Sequence, residues 1–533
     1  PGESYLAALD ALHDSQDKIK LVVCRQEGGA AYMAEAYGKL TGKPGICFVT
    51  RGPGATNASV GVHTAFQDST PMILFIGQVA RDQVEREAFQ EIDFRRMYGP
   101  MVKWVAEIED AERIPELVSQ AFHRAVNGRP GPVVLALPED MLTDIAEVGD
   151  AMHYKVSRAH PGEEQISDFR ALLAKAQRPL VILGGGGWDA EAVADVRAFA
   201  EANNLPIGCS FRCQDLFDNT LPNYVGDVGI GINPKLAQRI KESDLLIAIG
   251  PRLGEMTTSG YTLIDIPVPA QKLIHVHASV EELGRVYQAT LPINSGMGAF
   301  ARAARKMVPV DHKAWDSWTS GARTDYLENI KHSPVPGDLQ MGDIMAWLRQ
   351  RLPDDAILTN GAGNYATWSH RFYQYRKYRT QLGPTNGSMG YGVPAAVAAK
   401  IAAPDRVVVS FNGDGCFMMN GQELATAVQY GANVVFLVIN NGMYGTIRMH
   451  QEKTYPGRVS GTELHNPDFV ALGKAYGAHA ELVEKTAEFA PAFERALAAG
   501  KPALLELRLD PEAITPKASL TDLRNAALKA QKA

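Results

Sequence analysis

The 533-residue sequence has few cysteines, little net charge and only short apolar runs. Its five cysteines, Cys24, Cys47, Cys209, Cys213 and Cys416, are odd in number and mostly far apart. The three residues between Cys209 and Cys213 match neither a zinc pair nor a redox CxxC. A disulfide framework is therefore not expected, and a reducing, cytoplasmic setting is. The formal charge of −7 is small for this length, so no nucleic-acid partner is expected. Apolar runs such as "MILFI" and "VVFLVI" are much too short to cross a bilayer, which leaves no membrane partner. The first residues, "PGESYLAALDAL", carry neither an initiator Met nor a signal peptide, and some native N-terminal residues are expected to be absent.

What is present is ordinary globular composition on a chain too long for one core, so about three domains are expected. In the first third "IKLVVC", "GICFVT", "PMILFIG" and "GPVVLALP" read as strands, with "GGAAYMAEAYGKLTG" and "ATNASVGVHTAFQ" as small-residue helices between them. "RPLVILGGGG", "LPIGCS", "SDLLIAIG" and "KLIHVHAS" mark a second α/β unit, and "AILTNG", "RVVVSFN", "NVVFLVIN" and "PALLELRL" a third. Strands alternating with helices imply parallel pairing and sheets covered on both faces. The expected fold class is α/β, with three doubly wound parallel-sheet domains at 1–150, 166–310 and 338–510. A peripheral tail, rich in Ala and Lys, is expected at 511–533.

The strongest local signal is a pair of strand ends. Asp414 stands between Gly413 and Gly415 after one apolar run, and 27 positions later (441 − 414) Asn441 follows Asn440 after another. Between them "NGQELATAVQYGA" reads as a helix, capped by Asn420 with Glu423 in the reciprocal position and ended by Gly431. Strand, helix, strand of this length makes one right-handed crossover, so both strands open on the same sheet edge. A carboxylate beside an amide oxygen there suits Mg²⁺, which shares its shell with substrate phosphates. The flanking glycines let backbone N–H groups approach phosphate oxygens. Alone, each piece is an ordinary Asp-Gly or Asn-Gly turn; together, at this spacing, they read as a metal–diphosphate site.

The pair resembles the fingerprint of thiamine-diphosphate-dependent enzymes, GDG followed about thirty residues later by NN. The resemblance covers nearly the whole chain and is strongest to acetolactate (acetohydroxyacid) synthase large subunits, through "RQEGGAAYMAEAYGKLTGKPG", "RGPGATN", "PMILFIGQV", "AFQEID", "GSMGYGVPAA", "GDGCFMMNGQELATA" and "NNGMYG". It implies pyrimidine-binding, central and diphosphate-binding domains in that order, with thiamine diphosphate and Mg²⁺ as cofactors. By this resemblance Asp414, Asn441 and the main chain of Met443 hold the metal. Gly54, Asn57, Gly413, Gly415, Cys416, Tyr444 and Gly445 would join the cofactor cradle, and Met389 would be the apolar wedge that bends the cofactor. Glu27, otherwise an ordinary first-turn acid favoured by the helix dipole, would hydrogen-bond the aminopyrimidine nitrogen and promote the imino tautomer that activates the cofactor. The cofactor then supplies the nucleophile and electron sink. Since the acid faces a diphosphate domain of another subunit in this family, a homodimer is the smallest active unit implied, with a homotetramer as the alternative.

Several positions depart from the acetohydroxyacid synthase pattern. His450 stands where a Trp shapes the second-substrate pocket, with Arg448 before it; the pair reads either as a polar substrate contact or as satisfied surface residues. Glu139 replaces the Lys of Leu-Pro-Lys-Asp, and Arg51 replaces the Ser before Gly-Pro-Gly. His63, Gln78, Phe89 and Gln90 would line the entrance, with Gln90 as an uncharged donor to a substrate carboxylate or carbonyl. In the central domain "GGGGWDAE" has Asp189 where GxGxxG has its third glycine, so a tight strand-to-helix turn is expected there. Arg252 matches a flavin-proximal Arg, yet "HVHAS" puts His277 and Ser279 where acids are expected, so FAD stands as an alternative that these residues speak against.

The activity implied is decarboxylation of a 2-oxo acid and transfer of the acyl fragment to a second carbonyl, with catalytic roles for Glu27, Gln90 and His450. No adjacent His pair of the pyruvate decarboxylase kind lies near Gly-Pro-Gly, which favours carboligation. The alternatives are a non-ligating decarboxylase of the benzoylformate decarboxylase kind, a flavin-dependent pyruvate oxidase-like enzyme and a non-catalytic scaffold.

Overall fold

The computed structural model describes residues 1–531, so 532–533 of the expected tail lie outside the described residues. Three all-parallel sheets follow one another along the chain. The first contains β1 (Gly45–Val49), β2 (Met72–Gln78), β3 (Trp104–Glu107) and β4 (Pro132–Pro138), in the order β1-β2-β4-β3. The second contains β5 (Pro179–Leu183), β6 (Ile207–Ser210), β7 (Tyr224–Val228), β8 (Leu245–Ile249), β9 (Lys272–His277) and β10 (Leu291–Asn294), in the order β10-β9-β8-β5-β6-β7. The third contains β11 (Ile357–Asn360), β12 (Gln381–Leu382), β13 (Val408–Gly413), β14 (Val435–Asn440), β15 (His479–Val483) and β16 (Ala503–Arg508), in the order β12-β11-β13-β14-β16-β15.

The apolar runs that become strands lie in sheets with helices on both faces. In β2, Leu74 and Ile76 enter one core while Ile73 and Phe75 enter another. In β14, Leu437 and Ile439 pack on one side and Phe436 and Val438 on the other. Alternating side chains with no polar face are the signature of a parallel sheet buried on both sides.

The helix Glu27–Thr41 is built for close approach. Tyr32, Met33, Ala36 and Leu40 pack into a core shared with β11, β12 and the helix Gly392–Ala402 of the third sheet. A buried ionic cluster reinforces this contact: Lys39 pairs with Asp68 and lies 3.4 Å from Glu35, while its Nζ also donates to the carbonyl of Gly383 at 2.9 Å. Tyr391 donates to Glu35 at 2.5 Å from the third unit, and Thr70 donates at 2.7 Å from the first.

Three expectations are corrected here. The "IKLVVC" segment is extended but joins no sheet: Val23 N–H donates to the Tyr430 hydroxyl at 2.8 Å, and Arg25 and Gln26 N–H groups donate to Glu423. Val23 N–H is thus spent on a side chain of the third unit, and the two N–H groups just past the segment are held by Glu423, where a ladder would need strand partners. The crossover after Asp414 is two helices, Asp414–Asn420 and Glu423–Gln429, rather than one. Asn420 ends the first and donates to the Gly390 carbonyl at 3.2 Å, so the expected reciprocal cap with Glu423 does not form, although Gly431, at φ +62°, does follow the second helix. Residues 511–531 are not peripheral either. Ala513 and Ile514 are buried, and the helix Leu520–Gln531 is anchored by Arg524, which donates to buried Glu452 at 2.7 Å.

Candidate active site

β13 and β14 are adjacent and parallel, with Gly413 paired to Ile439, so the two strand ends lie side by side. Asp414 is the first residue of a seven-residue helix, a position where the helix dipole favours an acid. Its Oδ1 accepts from Gly415 N–H at 2.9 Å, and its Oδ2 accepts from Gly442 N–H at 2.9 Å and the Asn466 amide at 2.8 Å. Burial raises the pKa of Asp414, and these donors oppose that shift. Asn466 also donates to Asn440 Oδ1 at 2.9 Å, while Asn440 Nδ2 donates to Glu506 at 2.8 Å. Asn440 is thus spent on orientation, and Asn441 is left to face the cavity.

Asp414, Asn441 and Met443 line one cavity of about 210 Å³, together with Met389, Gly413, Gly415, Cys416, Tyr444 and Gly445. Two of these glycines are required by close approach. A Cβ on Gly415 would stand 2.5 Å from the Tyr444 ring, and one on Gly445 would stand 2.9 Å from Ile514 and 3.2 Å from the Asn441 amide. Cys416 acts in packing: its sulfur accepts from the Tyr365 hydroxyl at 3.2 Å and from Gly390 N–H at 3.1 Å. Among the described residues no group of three or more His, Cys, Asp or Glu could hold a metal. A divalent ion at Asp414 would therefore draw its other ligands from the Asn441 amide, the Met443 carbonyl and phosphate oxygens, which is the shell Mg²⁺ prefers. The donor set and the glycine-lined walls fit a metal-bound diphosphate.

Glu27 lies in a second cluster. Gln26 caps its helix by accepting from Gly29 N–H at 3.0 Å, and Asn57 donates to Glu27 Oε2 at 3.1 Å. A Cβ on Gly54 would stand 3.6 Å from Glu27 Oε1, so Gly54 and Asn57 both belong beside the acid. None of the three lines the Asp414 cavity of the same chain. Gln90 is half-buried, with its backbone pressed on Gly52 at a left-handed φ of +65°.

Other expected residues fall elsewhere. His450 is on the exposed face of the helix Gly445–Thr454 and outside the cavity lining. Arg448 is taken up by Glu452 at 2.7 Å. Gln78 is buried with both ends of its amide satisfied, by the Ile92 carbonyl at 3.0 Å and Val79 N–H at 2.9 Å, so it offers no free donor at an entrance. Phe89 is 72% exposed, and His63 contacts the Asn386 amide at 3.2 Å. Sequence reasoning missed Asn466 and Ile514, which reach the site from elements with no spacing relation to the GDG and NN turns, and it read Glu423 as a helix cap where it instead holds the Arg25 and Gln26 N–H groups.

In the second unit the glycine run is a turn: Gly185 and Gly187 have φ of +69° and +82°, and Asp189 caps the helix Ala190–Ala202 by accepting from Ala192 N–H at 2.8 Å. A cavity of about 410 Å³ lies beside it, bordered by Gly186, Trp188, Asp68 and Arg212. Buried His277, its pKa pushed down to about 4 by desolvation, accepts from Ser279 N–H at 3.0 Å where a ribose-binding acid would be needed. Arg252 contacts the Gln67 side chain at 3.2 Å. Neither His277 nor Arg252 lines that cavity.

Comparison with known proteins agrees with this arrangement. Residues 1–97, 166–304 and 361–507 match the N-terminal TPP-binding, central and C-terminal TPP-binding domains of thiamine pyrophosphate enzymes. The chain is 34% identical over 521 residues to the acetolactate synthase large subunit of Corynebacterium glutamicum, covering 93% of this chain and 81% of that one. It is 30% identical over 516 residues to the acetolactate synthase isozyme 2 large subunit of Escherichia coli, covering 96% and 92%. A probable acetolactate synthase large subunit of Methanocaldococcus jannaschii is 30% identical over 537 residues, covering 97% and 89%. The chain belongs to the thiamine pyrophosphate enzymes, in the family of acetolactate synthase large subunits.

Proposed function

We propose that the protein decarboxylates a 2-oxo acid and joins the acyl fragment to a second carbonyl, using thiamine diphosphate and Mg²⁺. The observation that carries this reading is the meeting of Asp414, Asn441 and Met443 around one glycine-lined cavity at adjacent strand ends. Asp414, the Asn441 amide oxygen and the Met443 carbonyl would hold Mg²⁺ on the diphosphate, and Asn466 and Gly442 N–H keep Asp414 aimed at it. The bound cofactor supplies the nucleophilic carbon and the electron sink. Glu27, oriented by Asn57, would hold a proton for the aminopyrimidine nitrogen, and Met389, in the cavity wall, would pack against the bound cofactor. Gln90 binds a substrate carbonyl or carboxylate, and His450 borders the acceptor side once a second chain closes the site.

The separation of the Glu27 cluster from the Asp414 cavity within one chain supports a homodimer, or a homotetramer made of such dimers, acting in the cytoplasm. The domain division at 1–150, 166–310 and 338–510 belongs to the same reading. The test is CO₂ release and product analysis across a panel of 2-oxo acids with thiamine diphosphate and Mg²⁺ supplied. Cofactor-dependent CO₂ release with a carbon–carbon bonded product is expected; no release from any 2-oxo acid, or release indifferent to the cofactor, would overturn the reading.

A further inference from the structure

Two departures from the acetohydroxyacid synthase pattern meet in space. Arg51 follows β1 and Glu139 follows β4, and Arg51 Nη1 donates to Glu139 Oε2 at 2.8 Å across the end of β2. The bridge lies on the C-terminal edge of the first sheet, where open α/β folds bind ligands. It precedes the Gly52-Pro53-Gly54 turn that runs beside Glu27. Arg51 is only 8% exposed, yet Glu139 occupies just one of its nitrogens. Nε is buried without a partner, and Nη2 makes no hydrogen bond among the described residues. Gln90, held in its left-handed conformation against Gly52, also has a buried and unpartnered Oε1. Unpartnered buried polar atoms are rare in native folds, and here two stand in one corner beside an unfavourable backbone conformation.

We propose that Arg51, braced by Glu139 and flanked by Gln90, is a specificity-determining residue that receives the carboxylate of the carbonyl acceptor. This rests on the ligation reading above. Glu139 fixes the guanidinium plane and balances its charge. The remaining Nε–Nη2 edge matches a carboxylate bidentately, which a lysine could not do. Rotation of the Gln90 amide exchanges its oxygen and nitrogen, so it can add an N–H donor. The choice of acceptor over donor follows from charge. The donor's carboxylate leaves as neutral CO₂, so a cation gripping it would stabilise the ground state and slow the step. The acceptor keeps its carboxylate through bond formation, and a grip there only improves binding.

The test holds one donor 2-oxo acid saturating and compares carboxylate-bearing acceptors with uncharged aldehydes of similar size. For Arg51→Gln, kcat/KM for carboxylate acceptors should fall about tenfold to hundredfold, mainly through KM, with aldehydes changed by less than about twofold. Arg51→Lys should recover part of the preference as a point charge, and Glu139→Gln should lose less of it than Arg51→Gln does. Thermal midpoints and thiamine diphosphate binding are measured for each variant. If Arg51→Gln does not fold, Arg51→Lys and Glu139→Gln decide the matter by the same acceptor comparison. Equal losses on both acceptor classes, or no loss on either, would overturn the assignment alone. A wild-type enzyme that releases CO₂ but ligates no acceptor would overturn the ligation reading and this assignment with it.

Discussion

Asp414 shows how hydrogen-bond donors oppose the effect of burial on a carboxylate. Burial pushes its pKa up, while the Gly415 and Gly442 N–H groups and the Asn466 amide favour the charged form. Outer partners of this kind usually set metal affinity within a factor of ten to a hundred. Asn466→Ala should therefore weaken Mg²⁺ activation about tenfold to hundredfold, read from a Mg²⁺ titration of activity and of cofactor-induced fluorescence change. Unchanged titration would remove Asn466 from the site. Glu27→Gln should cut turnover at least about a hundredfold while thiamine diphosphate still binds, because the substitution removes only the acid–base function. Near wild-type turnover in that variant would refute the role given to Glu27.

At the scale of elements, the site depends on contacts between helices and extended segments rather than on the strands alone. Glu423, on the helix after Asp414, accepts from Arg25 and Gln26 N–H at 3.0 Å each and from Thr426 at 2.5 Å, so it holds the turn that carries Glu27. Glu423→Ala leaves two backbone donors without partners and should destabilise the fold by about 1–3 kcal/mol. Its kcat should fall further than a matched destabilisation elsewhere produces, which activity and urea denaturation measured together would reveal. The C-terminal helix is held by Glu452, whose carboxyl sits at about 2 because Arg524 and Arg448 bind it. A depressed acid pKa means that this stabilisation is complete above pH 4.5, its unfolded value, and is lost as pH falls toward 2. Wild type should lose its advantage over Glu452→Gln across that window in urea midpoints; a pH-independent difference would contradict the linkage.

At the scale of the whole molecule, the first and third units are clamped through the Lys39, Glu35 and Asp68 cluster, from which Lys39 donates to the Gly383 carbonyl and Glu35 accepts from Tyr391. Burial works against the Lys39 charge, but Asp68 and Glu35 outweigh it and hold its pKa above the usual value. Lys39→Met leaves buried carboxylates uncompensated and should cost about 3–5 kcal/mol, seen as a lower urea midpoint. The proposed sharing of sites between chains has its own test. Glu27→Gln and Asp414→Ala chains are each inactive alone, but refolded together they should regain about a quarter of wild-type activity, since half of the dimers then carry one intact site of two. No recovery in verified mixed dimers would place both residues in one chain's site.

The local chemistry was legible in the amino-acid order. Apolar runs bounded by glycine and proline specified most of the strands, and Asp414 and Asn441 could be placed at neighbouring strand ends around one cavity, because a crossover of that length forces neighbouring parallel strands. The tertiary structure alone decided that Ile19–Cys24 forms no strand, with Val23 N–H taken by Tyr430 and the Arg25 N–H just beyond it by Glu423, each from several hundred positions away. It also decided that Asn466 reaches Asp414 and Ile514 the cavity, and that Arg51 and Glu139, each a plain departure in the sequence, form one ion pair. Those relations arise where separate elements meet, and no periodicity or spacing along a chain encodes which side chains packing will bring within 3 Å of each other.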